Sequence, residues 1–170
     1  MKGMNDFSDI DAVRKFCDER AQHGRVAAVR DPNDLRGLKN HFIECVLQQA
    51  VFGEFSTGAA ESVLDLGCGS GLFTEVLARR AKWVCGVDIS PEMLRLAHVV
   101  SEPNALFSQF DGCRLPFADA SFSTVVSREI VHLISDSVLE KLFRDVSRVL
   151  APEGHCICVE FASFSEIRQG

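Results

Sequence analysis

Residues 63–71 read Val-Leu-Asp-Leu-Gly-Cys-Gly-Ser-Gly, and no other stretch of the chain constrains its fold as tightly. A short apolar run carrying a carboxylate predicts a buried strand. Alternate glycines predict a turn whose backbone a ligand can approach, and the stripe Leu72, Phe73, Val76 and Leu77 predicts a helix directly after it. Strand, glycine turn and helix form the first half of a βαβ unit, whose next strand lies parallel to the first. In open α/β sheets such a turn falls at the carboxyl edge, where ligands bind. The dinucleotide fingerprint G-x-G-x-x-G requires glycine at position 72. Leu72 stands there, so the pattern is G-x-G-x-G and hydride-transfer cofactors are disfavoured.

The alternation continues downstream. Strands are predicted at 62–65, 83–88, 105–110, 124–127 and 155–161. Ser90 can cap a helix whose first position is Pro91, with Met93, Leu94 and Ala97 on its inner face. A further stripe, Val138, Leu142, Val146 and Val149, predicts a helix that stops at Pro152-Glu153-Gly154. The expected class is α/β, a doubly wound, mainly parallel Rossmann-like sheet of about five strands. Ahead of it lie N-terminal helices, read from Phe7, Ile10, Val13, Phe16 and Cys17 and from Leu38, His41, Phe42, Cys45, Val46, Gln49 and Phe52. The chain divides into a helical segment, 1–57, and a core, 58–170. At 170 residues the two suit one compact domain.

Composition narrows the partners. With 46% hydrophobic and 25% charged residues the chain is a globular one, and a formal charge of −6 opposes binding to nucleic-acid phosphates. No apolar run reaches the roughly 18 residues a membrane helix needs, and the start MKGMNDFSDID lacks a signal-peptide core. A cytoplasmic protein without membrane or nucleic-acid partners is expected. Seven cysteines, an odd number, are then reduced thiols. Cys156 and Cys158 share a strand face with no further ligand nearby, so no metal site is expected.

Three carboxylates fall on the rim that the glycine turn defines. Asp65 lies in the first strand. Asp88 ends the second, where a carboxylate can accept both hydroxyls of a ribose. Asp111, followed by Gly112, comes after the third, where a carboxylate beside a free backbone N–H can read the polar edge of an adenine. A nucleoside ligand is the consequence.

These motifs carry a family resemblance. From residue 62 to 161, VLDLGCGSG, VCGVDISPEML, FSQFDGCRLPFADASFSTVVS and VLEKLFRDVSRVLAPEGHCICVEF resemble the class I S-adenosylmethionine-dependent methyltransferases. The resemblance implies S-adenosyl-L-methionine as cofactor and S-adenosyl-L-homocysteine as product. It implies that Gly67, Cys68, Gly69 and Gly71 pass under the methionine and ribose, with Asp65 orienting the amino end and Asp88 holding the ribose hydroxyls. Ile89 and Met93 would pack on the adenine, Asp111 and the backbone of Gly112 or Cys113 would take its polar edge, and Ser127 would face the methionine. The segment ahead of the first strand would act as a lid, with Phe7, Phe16, Arg25, Arg30 and His41 as its groups.

The implied function is methyl transfer to a small-molecule acceptor; the alternative is a non-catalytic cofactor-binding domain that acts through a protein partner. Transfer chiefly needs acceptor, methyl and sulfur held in line, and a base only where the acceptor must lose a proton. The candidates are His132, then Glu129, then His41, whose helical stripe faces the core or the mouth of the site. Carbon, oxygen and nitrogen acceptors are all compatible. In the family an antiparallel hairpin follows the fifth strand. Here the sequence ends at Gly170, leaving an apolar strand edge with Ile157, Val159 and Phe161 on one face and Cys156 and Cys158 on the other. Such an edge invites a homodimer, unless residues 162–170 turn back to pair with it or the chain is a shortened product of a longer protein.

Overall fold

The structure, a computed structural model, describes residues 9–54, 62–99 and 102–160. Five strands, β1 (Ser62–Leu66), β2 (Trp83–Asp88), β3 (Ala105–Gln109), β4 (Phe122–Arg128) and β5 (Leu150–Val159), form one sheet in the order β3-β2-β1-β4-β5. Every pairing is parallel, as the βα alternation predicts. The order reverses at β1, so the crevice at the switch point opens between β1 and β4. The helices are α1 (Ile10–Ala21), α2 (Leu38–Glu54), α3 (Leu72–Ala78), α4 (Pro91–Ala97) and α5 (Asp136–Val149). Short 3-10 turns occupy Ala27–Val29 and Val131–Leu133.

Both faces of the sheet are buried, which is why its central strands read as nearly unbroken apolar runs. Leu64, Leu66, Val87 and Val125 pack on one face with Leu142, Val146 and Val149 of α5. Val63, Val84 and Val126 pack on the other with Val51 of α2 and with Phe73 and Leu77 of α3. At the start of α4, Ser90 Oγ accepts from the Met93 N–H at 3.0 Å and Pro91 takes the first helical position, as expected.

Two expectations are corrected. β5 begins at Leu150 rather than at 155: Leu150 pairs with Phe122, the register shifts, and His155 then pairs with Thr124. Pro152-Glu153-Gly154 therefore lies in an irregular part of the strand, where unpaired positions are tolerated, instead of ending an element. In α2 the buried face is Leu47 and Val51, whereas Leu38 is 65% and Phe42 69% exposed, and His41, Cys45 and Val46 are exposed with them. Apolar residues lie nearly all round this helix, and it is packing against α3 and β5 that selects the face. Phe7, Phe161, the boundary at 57/58 and the fold-back of 162–170 lie outside the described residues. Among those residues no strand pairs with the outer edge of β5.

Gly86, in the middle of β2, tests the packing. A Cβ there would stand 2.8 Å from the Phe107 ring and 2.9 Å from Cys68 Sγ. Gly86→Ala should lower stability by about 1–3 kcal/mol, the usual cost of overpacking, read from the midpoint of denaturant unfolding.

Candidate active site

The carboxyl ends of β1, β2 and β4 enclose a cleft of about 310 Å³, closed on the outer side by Phe16, Arg20, Ala28 and Val29 of the N-terminal segment. Asp88 stands at its centre. Oδ2 accepts from the Gly69 N–H at 2.8 Å and Oδ1 from the Ser90 N–H at 2.9 Å, so one side chain shapes the glycine turn and the entry to α4. Gly67 and Gly69 have φ of 74° and 53°, in the left-handed region that glycine adopts without strain. Burial pushes the Asp88 carboxyl up to about 6 against the opposing pull of its N–H donors.

Asp65 lines the same cleft, buried and accepting from Thr74 Oγ1 at 2.6 Å. Burial raises its carboxyl above the usual range, and Arg128 and the Thr74 hydroxyl oppose that rise. Cys68 and Met93 also line the cleft. Ile89 instead lines a small apolar slot of about 50 Å³ on the other side of Asp88, with Phe110, Gly112 and Leu133. Asp111 lies at the surface of the same rim, where Oδ1 accepts from the N–H groups of Cys113 at 2.8 Å and Arg114 at 2.7 Å. Those bonds lower its carboxyl, and they commit the Cys113 N–H within the turn.

At the end of β4, Ser127 is fully buried, its Oγ has no hydrogen-bond partner among the described residues, and it does not line the cleft. Its neighbour Arg128 does. The Arg128 guanidinium lies 3.7 Å from the centre of the Phe73 ring, with Nη1 3.3 Å from Glu44 Oε2. Glu129 follows with φ of 58°, a strained value for a non-glycine residue, and burial raises its carboxyl. His132, on the next turn, also lines the cleft, with Nδ1 2.8 Å from Glu160 Oε2. That hydrogen bond raises the imidazole above its ordinary value. Glu160 Oε1 accepts from the backbone N–H groups of Ile130 and Val131, each at 3.0 Å.

The structure thus brings His132 and Glu129 together at the cleft but leaves His41 on the exposed face of α2, its Nε2 3.7 Å from Cys45 Sγ. Arg128 and Glu160 are functional candidates that motif reading did not select. Both stand at the carboxyl ends of strands, and that position is the signal that could have found them.

Of the lid groups, Phe16 lines the cleft and Arg25 fastens the segment to α3. Arg25 pairs with Glu75 at 2.8 Å, its Nε donates to the Ser70 carbonyl at 3.2 Å, and Ser70 Oγ donates to the Arg25 carbonyl at 2.6 Å. On the opposite side Ser90 Oγ donates to Asp18 at 2.5 Å. Arg30 is exposed, its carbonyl accepting from Arg20. Among the described residues no group of three or more potential ligands could hold a metal ion, and no helix is long and apolar enough to cross a membrane.

A parallel sheet whose ligand cleft is built on a glycine turn and a strand-end carboxylate defines the Rossmann-like nucleoside-binding class. A family model described as a methyltransferase domain matches residues 64–158, and the chain belongs to that family, the class I S-adenosylmethionine-dependent methyltransferases. Demethylmenaquinone methyltransferase of Tropheryma whipplei (strain Twist) is 35% identical over 145 residues, which are 84% of this chain and 59% of that protein. The YcgJ protein of Bacillus subtilis matches with a TM-score of 0.60 at 28% identity, over 75% of this chain and 54% of that one. Phosphoethanolamine N-methyltransferase 1 of Haemonchus contortus, solved with phosphoethanolamine and S-adenosylhomocysteine, has a TM-score of 0.70 at 20% identity. That match covers 90% of this chain and 32% of that one, and it shows the shared fold.

Burial and local hydrogen bonding also order the cysteines by reactivity. Burial, with Asp88 and Asp18 nearby, pushes the Cys17 thiol up to about 12, and burial pushes Cys85 up to about 11 and Cys68 well above its ordinary value. Cys45, Cys156 and Cys158 are exposed, and the bond from Cys156 lowers Cys158. Since the thiolate is the nucleophile, iodoacetamide at pH 8 should label the native protein at Cys158 first and leave Cys17, Cys68 and Cys85 unmodified, as read by peptide mass spectrometry.

Proposed function

We propose that the protein binds S-adenosylmethionine in this cleft and transfers its methyl group to a small-molecule acceptor that enters beside His132. The observation that carries the reading is Asp88, a buried carboxylate that organises the glycine turn and also faces both the large cleft and the apolar slot. Each of its oxygens accepts one N–H, so each keeps a lone pair for a ribose hydroxyl. Ile89 and Phe110 suit the adenine in the slot. Asp65, Gly67 and Gly69 suit the methionine end, with Met93 packing from the cleft side. At about 310 Å³ the cleft is at the lower end of small-molecule sites.

The cofactor supplies an electrophilic methyl group on a sulfonium sulfur. The chain's own part is alignment, exclusion of water and removal of a proton. His132 is the base that fits best, since it reaches the cleft and a carboxylate fixes its ring. Glu129 beside it is the second candidate. A proton acceptor at this place suits an acceptor that must lose a proton, such as a hydroxyl, an amine or an activated C–H.

Ribose hydroxyls donate to the ionised carboxylate. With its folded-state value near 6, Asp88 is ionised at pH 7 and largely protonated at pH 5, so affinity falls as pH drops through about 6. S-adenosylhomocysteine should bind about tenfold more weakly at pH 5 than at pH 7 by calorimetry, and Asp88→Asn should bind weakly at both. Absence of binding at either pH overturns the assignment. With methyl-labelled S-adenosylmethionine and a metabolite extract, label should appear in a small molecule. Binding without any transfer of label favours the non-catalytic domain instead.

The outer edge of β5, which pairs with no strand among the described residues, supports a second proposal, a homodimer through that strand. Its outer N–H and C=O groups face no strand among the described residues, and Cys156 and Cys158 lie exposed on it, 3.7 Å apart. Light scattering should report a dimer at tens of micromolar, and mild oxidation should link it by disulfides. A monomer at that concentration overturns the proposal.

A further inference from the structure

We infer that Glu160 is the positioning residue of a Glu160–His132 pair, holding the imidazole with its proton on Nδ1 and its Nε2 lone pair toward the acceptor. The inference rests on the functional reading above and adds to it a residue at the end of β5 to which the family resemblance assigned no role.

The geometry is a three-point grip. One carboxylate oxygen takes the N–H groups of Ile130 and Val131, and the other takes His132 Nδ1. An ionised carboxylate can only accept, so the ring nitrogen facing it carries a proton whatever the state of Nε2. The same carboxylate fixes the backbone that leads to His132, so the position of the ring and its tautomer are set by one group. His132 and Glu160 side chains are 27% and 25% exposed, enough shielding for the bond to outcompete water.

Of the other charged groups around the ring, the two arginines have other partners and the wrong sign to replace Glu160, and the third is a carboxylate that adds to its effect without a hydrogen bond to the ring. Arg128, on the end of β4, pairs with Glu44 of α2 and stacks on Phe73 of α3. Arg20 of α1 donates to the carbonyls of Ala27, Ala28 and Arg30. Glu129 adds a second negative charge near the ring and favours the imidazolium in the same direction as Glu160. The pair therefore stabilises the protonated ring that forms once a proton has been taken: the acceptor's X–H bond breaks and the proton joins Nε2, while the electron pair left on X would form the X–CH3 bond as the CH3–S bond breaks with its pair staying on sulfur, leaving the neutral thioether.

Proton-detected long-range ¹H–¹⁵N spectra of the full chain test this without any acceptor. Of the five histidines, His132 is assigned as the signal lost in His132→Gln. The expected spectrum at pH 8 shows His132 protonated on Nδ1 and bare on Nε2, with a titration midpoint above the ordinary histidine value. In Glu160→Gln the midpoint moves down, and the acid limb of any activity profile, where the base is lost by protonation, moves down with it. The other four histidine signals report whether that variant is folded. A parent protein with the proton on Nε2, or a midpoint that does not move in a folded Glu160→Gln, overturns the inference. The tautomer is read in the parent protein, so the inference is decided even if the variant unfolds. If the pair is found in a protein that transfers no methyl group, it is the functional reading that fails.

Discussion

The Asp88 carboxylate is the joint on which the site turns. It lies at the end of β2, yet its two bonds go to the turn after β1 and to the first residues before α4. Ser90 extends the chain of contacts, capping α4 through Met93 and reaching Asp18 of α1. Glycine turn, helix cap and N-terminal segment are thus tied to one buried acid. Removing it would leave two buried N–H groups unpaired, at roughly 1–3 kcal/mol each. Keeping it ionised also has a cost, because burial opposes the charge more than the backbone N–H donors favour it. A carboxyl poised near 6 is the result of that contest, and it is the state a pair of ligand hydroxyls would tip toward ionisation.

The same device recurs across the switch point. Asp88 of β2 grips the loop after its neighbour β1, and Glu160, just past β5, grips the loop after its neighbour β4. Parallel pairing makes this natural: adjacent strands end at one level, so an acid at the end of one reaches the N–H groups that turn away from the other. The register of Arg128 with Val159 sets that level on the β4 side. The first grip opens a glycine turn to a ligand. The second holds Glu129 in a left-handed conformation and carries His132 to the cleft.

Much of this was readable in the residues, and what was not has identifiable causes. The central strands were legible because both faces of the sheet are buried and their runs are apolar throughout. Asp65 and Asp88 followed from the rule that ligands gather at strand ends. Glu160 obeys the same rule, but in isolation it reads as a lone charge on an apolar edge. Only the pairing of β4 with β5 puts it beside His132. Ser127 was misplaced by one residue: strand alternation turns it into the core and gives the cleft to Arg128. His41 shares its fate with the rest of α2. Helical spacing was correct there, but a helix apolar on several sides does not declare which one it buries. The irregular start of β5 was hidden by Pro152 and Gly154, which locally resemble a stop.

Three glycines show how the N-terminal segment and the cleft are linked. A Cβ at Gly69 would stand 3.0 Å from Val29, one at Gly112 would stand 2.5 Å from Ile10, and one at Gly67 would collide with Ile130. The backbone surfaces that a ligand would use are therefore covered by branched apolar side chains, two of them from the segment ahead of β1. A ligand seated on the glycines would meet those branches. Exposing a few methylene equivalents costs about 0.8 kcal/mol each, which is small beside the roughly 8 kcal/mol of a micromolar interaction. Any such shift would reach beyond the glycines themselves. Val29 sits close after Arg25, which is fastened to Ser70 and Glu75, and Ile10 belongs to the helix that Asp18 fastens to Ser90. Polar fastenings and apolar contacts thus tie the N-terminal segment to the same glycines that line the cleft and the slot.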